Sequence, residues 1–124
     1  MSFCTAINCM DGRVQLPVIA FLKEYFKVEY VDTITEAGPV RIFDKTDDQA
    51  VLNSVYRRVE ISVNRHASKG LAICAHANCA GNPIDDDQQQ LQLQEAVAFL
   101  KEKFPGIEII ALWIDKQHRV HKCT

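Results

Sequence analysis

Two short polar turns hold the side chains best suited to chemistry: Cys9-Met10-Asp11-Gly12-Arg13 and His76-Ala77-Asn78-Cys79. Thiolate and imidazole are favoured ligands of a tetrahedral zinc ion, and a site with three protein ligands keeps a fourth position for water or substrate. Cys9, His76 and Cys79 make such a set. The His-x-x-Cys spacing lets one turn present two ligands, while the third has to arrive from the other turn. Cys-x-Asp-x-Arg adds to this signal, because a ligand, a carboxylate and a guanidinium two residues apart can all face one crevice. Arg13 can hold Asp11 in a charge-assisted pair. The carboxylate would then stay ionised and aimed, taking a proton from water on the ion rather than binding the ion itself.

Turns of this kind need rigid elements behind them. Phe3 to Asn8 is a short apolar run rich in β-formers that ends at the first turn. From Leu16 the spacing becomes helical, with Leu16, Ile19, Ala20, Leu22, Tyr25 and Phe26 recurring and Pro17 suited to a first turn. Val28 to Ile34 is β-branched and aromatic, and Glu36-Ala37-Gly38-Pro39 breaks it. Asp47 or Asp48 can cap a long helix whose face carries Val51, Leu52, Val55, Tyr56, Val59 and Val63, closing near Lys69-Gly70.

Leu71 to Ala75 is a continuous apolar run, as expected of a strand buried on both faces, and it feeds the second turn. Asp85, Asp86 and Asp87 favour the start of a helix striped by Leu93, Val97, Leu100 and Phe104, which Pro105-Gly106 stops. Gln88-Gln89-Gln90 reads as the solvated face of that helix. Ile107 to Ile114 is a further core strand, and Gln117 to Cys123 a short, half-exposed strand or tail.

Strands alternating with helices imply a mainly parallel sheet with right-handed crossovers. The expected fold class is α/β, three layers (α/β/α) around a central sheet of four to five strands, in one domain over residues 1–124. Ligands of such sheets bind beyond the carboxyl ends of the strands, where strand order reverses. If the first and third strands are neighbours, Cys9 meets His76 and Cys79 in one crevice.

With 48% hydrophobic and 24% charged residues, the 124-residue chain has an ordinary globular composition. A net charge of -2 and no basic stripe exclude the strong electrostatic footprint of a nucleic-acid binder. No apolar run approaches the ~20 residues of a membrane span, and the first residues lack a signal peptide's leader, so the cytoplasm is the expected compartment. Five cysteines without an export signal are expected to be thiols. Cys74 should point to the same side as His76 but deeper, as packing, and Cys4 and Cys123 read as bystanders. His118 and His121 could ferry protons or bind stray metal, though a solvated edge is the simpler reading; His66 should complement a helix dipole.

Cys9-Met10-Asp11-Gly12-Arg13 followed by His76-Ala77-Asn78-Cys79 resembles the signature of the β-class carbonic anhydrases. Glu36-Ala37-Gly38 falls where that family has an Asn-Ala-Gly loop, and Ala111 to Asp115 resembles its last core strand. The resemblance implies a β-carbonic-anhydrase-like fold, a Zn2+ ion on Cys9, His76 and Cys79, and a dyad of Asp11 and Arg13. The implied reaction is reversible hydration of carbon dioxide to bicarbonate, and the implied assembly a homodimer or larger homo-oligomer. Gly12 stands where the family commonly has Ser, and the stretch between Cys79 and Trp113 is short, marking a minimal or divergent member. Two alternatives share the site: hydrolysis of carbon disulfide or carbonyl sulfide, and a non-catalytic zinc-stabilised interaction or sensing module in which Asp11 closes the shell.

Overall fold

The structure, a computed structural model, describes residues 1–43 and 48–123. Its elements in chain order are β1 (Phe3–Cys9), α1 (Gln15–Phe26), β2 (Tyr30–Glu36), α2 (Gln49–Arg65), β3 (Gly70–His76), α3 (Asp86–Lys103), β4 (Glu108–Ile114) and β5 (Val120–Lys122). Short 3-10 turns at Gly12–Val14 and Pro39–Phe43 follow β1 and β2. Among the described residues, no helix is long and apolar enough to cross a membrane.

The five strands lie in the order β2-β1-β3-β4-β5, with β1 to β4 parallel and β5 antiparallel to β4. The chain moves outward from β1 to β2 and then returns to the other side of β1 for β3, so the strand order reverses between β1 and β3. The expected neighbours are therefore adjacent. β3 is buried at every residue, as a strand covered on both faces must be.

Val18, Leu22 and Phe26 of α1 pack with Cys4, Ala6, Ala72 and Cys74 on one face of the sheet. Val55 and Val59 of α2 pack with Leu93, Val97 and Leu100 of α3 on the other, against Ile7, Leu71 and Ile73. Alternate side chains of β1 and β3 thus feed different cores, which gives the three layers.

Three sequence readings change. Leu16, expected on the apolar face of α1, is 77% exposed, and Ala20 and Tyr25 are also outside. The buried stripe is Val14, Val18, Leu22 and Phe26, because the 3-10 turn adds Val14 and sets the rotation of the helix. Gln89, expected on a solvated face, is 1% exposed. α2 ends at Arg65 with His66 as its C-cap, earlier than the Lys69-Gly70 boundary, and Asp48 caps its start by accepting from Val51 N–H. Asp47, the other cap considered, lies outside the described residues.

Candidate metal centre

Cys9 ends β1 and His76 ends β3. The two strands pair only over Thr5↔Leu71, Ala6↔Ala72 and Ile7↔Ile73, so their last residues open a crevice. Asn8 is buried there, donating to Val14 O at 3.1 Å while its carbonyl oxygen accepts from Cys9 N–H at 2.9 Å. Gln15 Nε2 donates to Cys9 O at 2.6 Å, tying the helix that follows to the turn.

The second turn is held from behind. Gln89 Nε2 donates to His76 O at 2.8 Å, and Asn82 Nδ2 donates to Gln92 Oε1 at 2.7 Å. Asn78 adopts a left-handed φ of 58°, which reverses the chain between the two candidate ligands. Gly38, at φ +61°, abuts the same turn: a Cβ there would lie 2.6 Å from Asn82 Cβ. A Cβ at Gly81 would lie 2.6 Å from the Ala37 carbonyl carbon. Two loops therefore interlock because neither glycine carries a side chain.

One donor atom each from Cys9, His76 and Cys79 lies within 4.8 Å of the others, and all three residues are buried. The Cys9 and Cys79 sulfurs are 3.8 Å apart. Two sulfurs each about 2.3 Å from one tetrahedral ion lie about 3.8 Å apart, so this spacing fits a shared cation. His76 Nδ1 donates to Ala77 O at 2.8 Å, which in the neutral ring leaves the lone pair on Nε2. That nitrogen is buried and has no hydrogen-bond partner among the described residues. A buried, unpaired acceptor beside two sulfurs is costly unless something binds it. The donor set fits a metal ion.

Charge at the three groups is interdependent. Burial pushes the Cys9 thiol up, but the adjacent His76 ring and the N–H groups of Gly38 and Asp11 outweigh it and bring it below the ordinary value. Burial and the charge of Cys9 push Cys79 up instead. One sulfur ionises readily, and the second needs a cation between them. For His76, burial disfavours the charged ring, yet Cys9, the Ala77 carbonyl and Asp11 together raise it.

Asp11 and Arg13 form the expected pair. Arg13 Nη2 donates to Asp11 Oδ2 at 2.6 Å, Nε donates to Oδ1 at 3.0 Å, and the Arg13 backbone N–H donates to Oδ1 at 2.9 Å. These bonds hold the carboxyl well below the usual carboxylate range. Oδ2 is 4.0 Å from His76 Nε2, so the carboxylate stands beside the donor group while remaining committed to Arg13.

The other cysteines behave as expected. Cys74 is fully buried, with its thiol pushed far up by burial. Cys4 is also in the core, raised to about 11 by burial and by Asp32. Cys123 is exposed, and all five are free thiols. His66 does end α2, and it also bonds Asp32 at 2.6 Å and stacks on Phe3. His121 bonds Asp115 at 2.8 Å on the exposed hairpin, whereas His118 lines a cavity shared with His76. Sequence reasoning missed Asn8, Gln15 and Gln89 as supports. Gln89 had a signal: it stands four residues before Leu93, on the stripe that continues to Val97 and Leu100.

A family model described as "Putative carbonic anhydrase" matches residues 1–124. The chain belongs to that carbonic anhydrase family. Solved carbonic anhydrases share its fold. The Streptococcus mutans enzyme superposes with a TM-score of 0.64 at 20% identity, over 97% of this chain and 81% of that one. A tetrameric β-carbonic anhydrase of Sordaria macrospora gives 0.58 at 14% identity, over 97% and 79%. The Glaciozyma antarctica carbonic anhydrase gives 0.58 at 16% identity, over 97% and 81%. A search among curated proteins returned no matching sequence. This carbonic anhydrase family member is thus a mostly parallel α/β protein carrying a Cys-His-Cys group able to hold a metal.

Proposed function

We propose that this chain is a zinc-dependent β-type carbonic anhydrase catalysing the reversible hydration of carbon dioxide to bicarbonate. The observation that carries the reading is the convergence of two sulfurs 3.8 Å apart and the unpartnered His76 Nε2 at the ends of adjacent parallel strands. Cys9, His76 and Cys79 would hold the ion. Zinc in such a site supplies Lewis acidity, which in carbonic anhydrases with three histidine ligands brings the pKa of a bound water to about 7.

The chain's own groups do the rest. Ala77 O fixes the His76 tautomer, so that Nε2 faces the sulfurs. The paired thiolates need a divalent cation for charge balance, which favours metal over protons as pH rises. Asp11, ionised and oriented by Arg13, accepts a hydrogen bond from a water or bicarbonate hydroxyl at the mouth of the group and discriminates against an unprotonated oxygen there. Asp11 stands beside the donor group rather than within it, its Oδ2 bonded to Arg13 and 4.0 Å from His76 Nε2, which speaks against a purely structural zinc module.

A homodimer or larger assembly belongs to the same reading. It is supported by Met10 and Leu16, large apolar side chains that are 65% and 77% exposed beside the site. Light scattering tests it, and a strict monomer would remove it.

Stopped-flow hydration of carbon dioxide by zinc-loaded protein tests the activity, with Cys79→Ser and Asp11→Ala as controls. Wild-type protein should exceed both controls by about 100-fold or more, the scale of losing a ligand or an acid-base partner. A wild-type rate equal to theirs ends the proposal.

A further inference from the structure

The glutamine run in the first turns of α3 is not uniform. Gln88 and Gln90 are exposed, as a solvated face requires, whereas Gln89 between them is buried. It continues the buried stripe of Leu93, Ala96, Val97 and Leu100. An apolar side chain would suit that position, and a buried amide there is costly unless it finds partners. The partner it finds is the backbone of a candidate ligand: Gln89 Nε2 donates to His76 O at 2.8 Å.

The peptide between His76 and Ala77 is thereby held from both sides. Gln89 binds its oxygen, and its N–H, on Ala77, donates to Ile114 O of β4 at 3.0 Å. With that plane fixed, Ala77 O stands where it accepts from His76 Nδ1 at 2.8 Å. The aim of the imidazole therefore depends on a backbone plane that α3 and β4 grip together.

The same helix reaches the far end of the turn. Gln92 Oε1 accepts from Asn82 Nδ2 at 2.7 Å, and Asn82 N–H donates to Cys79 O at 3.3 Å. One helix thus braces the turn beside both of its candidate ligands. Ligands ordered before binding lose less freedom when they bind, which raises affinity.

We propose that Gln89 is a positioning residue of the metal centre, holding the His76–Ala77 peptide so that Nε2 is aimed at the two sulfurs before the ion arrives. The role rests on the metal-binding part of the reading above. Packing alone would make Gln89 matter for stability and leave the ion's affinity untouched. Positioning makes it matter for affinity in a protein that is still folded.

Two variants separate these roles. Gln89→Met keeps the length and burial of the side chain while removing the donor, and Gln89→Asn keeps an amide but withdraws it by one methylene. Each should lower zinc affinity about tenfold or more in chelator competition, the scale of losing an outer partner of a ligand. Ser62→Ala, which breaks a bond to Thr5 near the opposite end of β1, controls for lost stability and should leave zinc affinity within about twofold. A second readout follows the imidazole itself. In zinc-loaded protein, the His76 Nδ1 proton should exchange with solvent about tenfold faster or more in the Gln89 variants than in wild type, measured by NMR.

Zinc affinity within about twofold of wild type in both variants overturns the positioning role, as does unchanged exchange of the Nδ1 proton. Failure of both variants to fold also overturns it, by assigning the amide to the fold alone. Wild-type protein that takes up no zinc overturns the metal-binding reading and the role with it.

Discussion

At the start of β1, Thr5 Oγ1 lies 2.6 Å from Ser62 Oγ and 2.8 Å from Ser68 Oγ, Ser62 donates to Asp32 at 2.7 Å, and His66 meets the same carboxylate at 2.6 Å. Ser62 has one hydrogen and gives it to Asp32, so Thr5 must donate to Ser62, and the single Ser68 hydrogen goes either to Thr5 or to the Gly70 carbonyl 3.0 Å away, so that each hydroxyl has a partner. At the end of the same strand, Cys9 and Cys79 share a space with a histidine nitrogen that has no partner. Both clusters are polar, both sit beside β1, and both join residues far apart in sequence. The satisfied one ties α2 to the sheet. The unsatisfied one holds open a position that only a further atom can fill, which is how a ligand site differs from a structural network.

Breaking the ligand end should have the largest effect. Cys79→Ser should lower zinc affinity more than about 100-fold, beyond the ~10–100-fold cost of altering an outer partner, while thermal unfolding of the metal-free protein changes little. Metal competition with a chelator measures it. Next comes Gly81→Ala, whose Cβ would meet the Ala37 carbonyl carbon at 2.6 Å. Forcing the loops apart should cost about 1–3 kcal/mol and weaken zinc binding about tenfold, because backbone N–H groups of Gly81 and Asn82 face the Cys79 sulfur. Denaturant unfolding and the same chelator assay report both.

At the satisfied end, Ser62→Ala should destabilise the protein by about 1–3 kcal/mol through the stranded Thr5 and Asp32 groups. Zinc affinity should stay within about twofold. A large loss of zinc affinity in this variant would erase the contrast between the two ends.

The smallest effect on stability is expected from Asp11→Asn, under about 1 kcal/mol, because the pair is partly exposed. Its pH dependence has a definite sign. The folded carboxyl titrates below its unfolded value of about 3.9, so the contribution is fully present above that pH and is lost as pH falls through the folded value. Wild type and Asp11→Asn should therefore differ at pH 7 and converge in acid unfolding curves well below pH 4.

The alternation of strands and helices was legible in the sequence, as was the convergence of Cys9 with His76 and Cys79, because apolar runs ended in polar turns at both strand ends. The rotation of α1 was not. Val18, Leu22 and Phe26 recur every four residues, but Leu16, Ala20 and Tyr25 fit a helical spacing as well, and the 3-10 turn that Asp11 caps is what extends the buried stripe to Val14. Gln89 was legible by position only, four residues before Leu93 on the buried stripe, because its residue type reads as surface until its amide is matched to the His76 carbonyl. The arms of the β4–β5 hairpin were legible as strands, but its turn carries no Gly or Asn signal, since His118 occupies the left-handed position. The orphaned nitrogen of His76 is visible only in three dimensions.

X-ray absorption at the zinc edge of the loaded protein bears most directly on the whole account. Two sulfur neighbours at about 2.3 Å, one imidazole nitrogen and one further light atom at about 2.0–2.1 Å are expected, with one zinc per chain. A shell lacking sulfur, a shell of four sulfurs, or protein that takes up no zinc would contradict it.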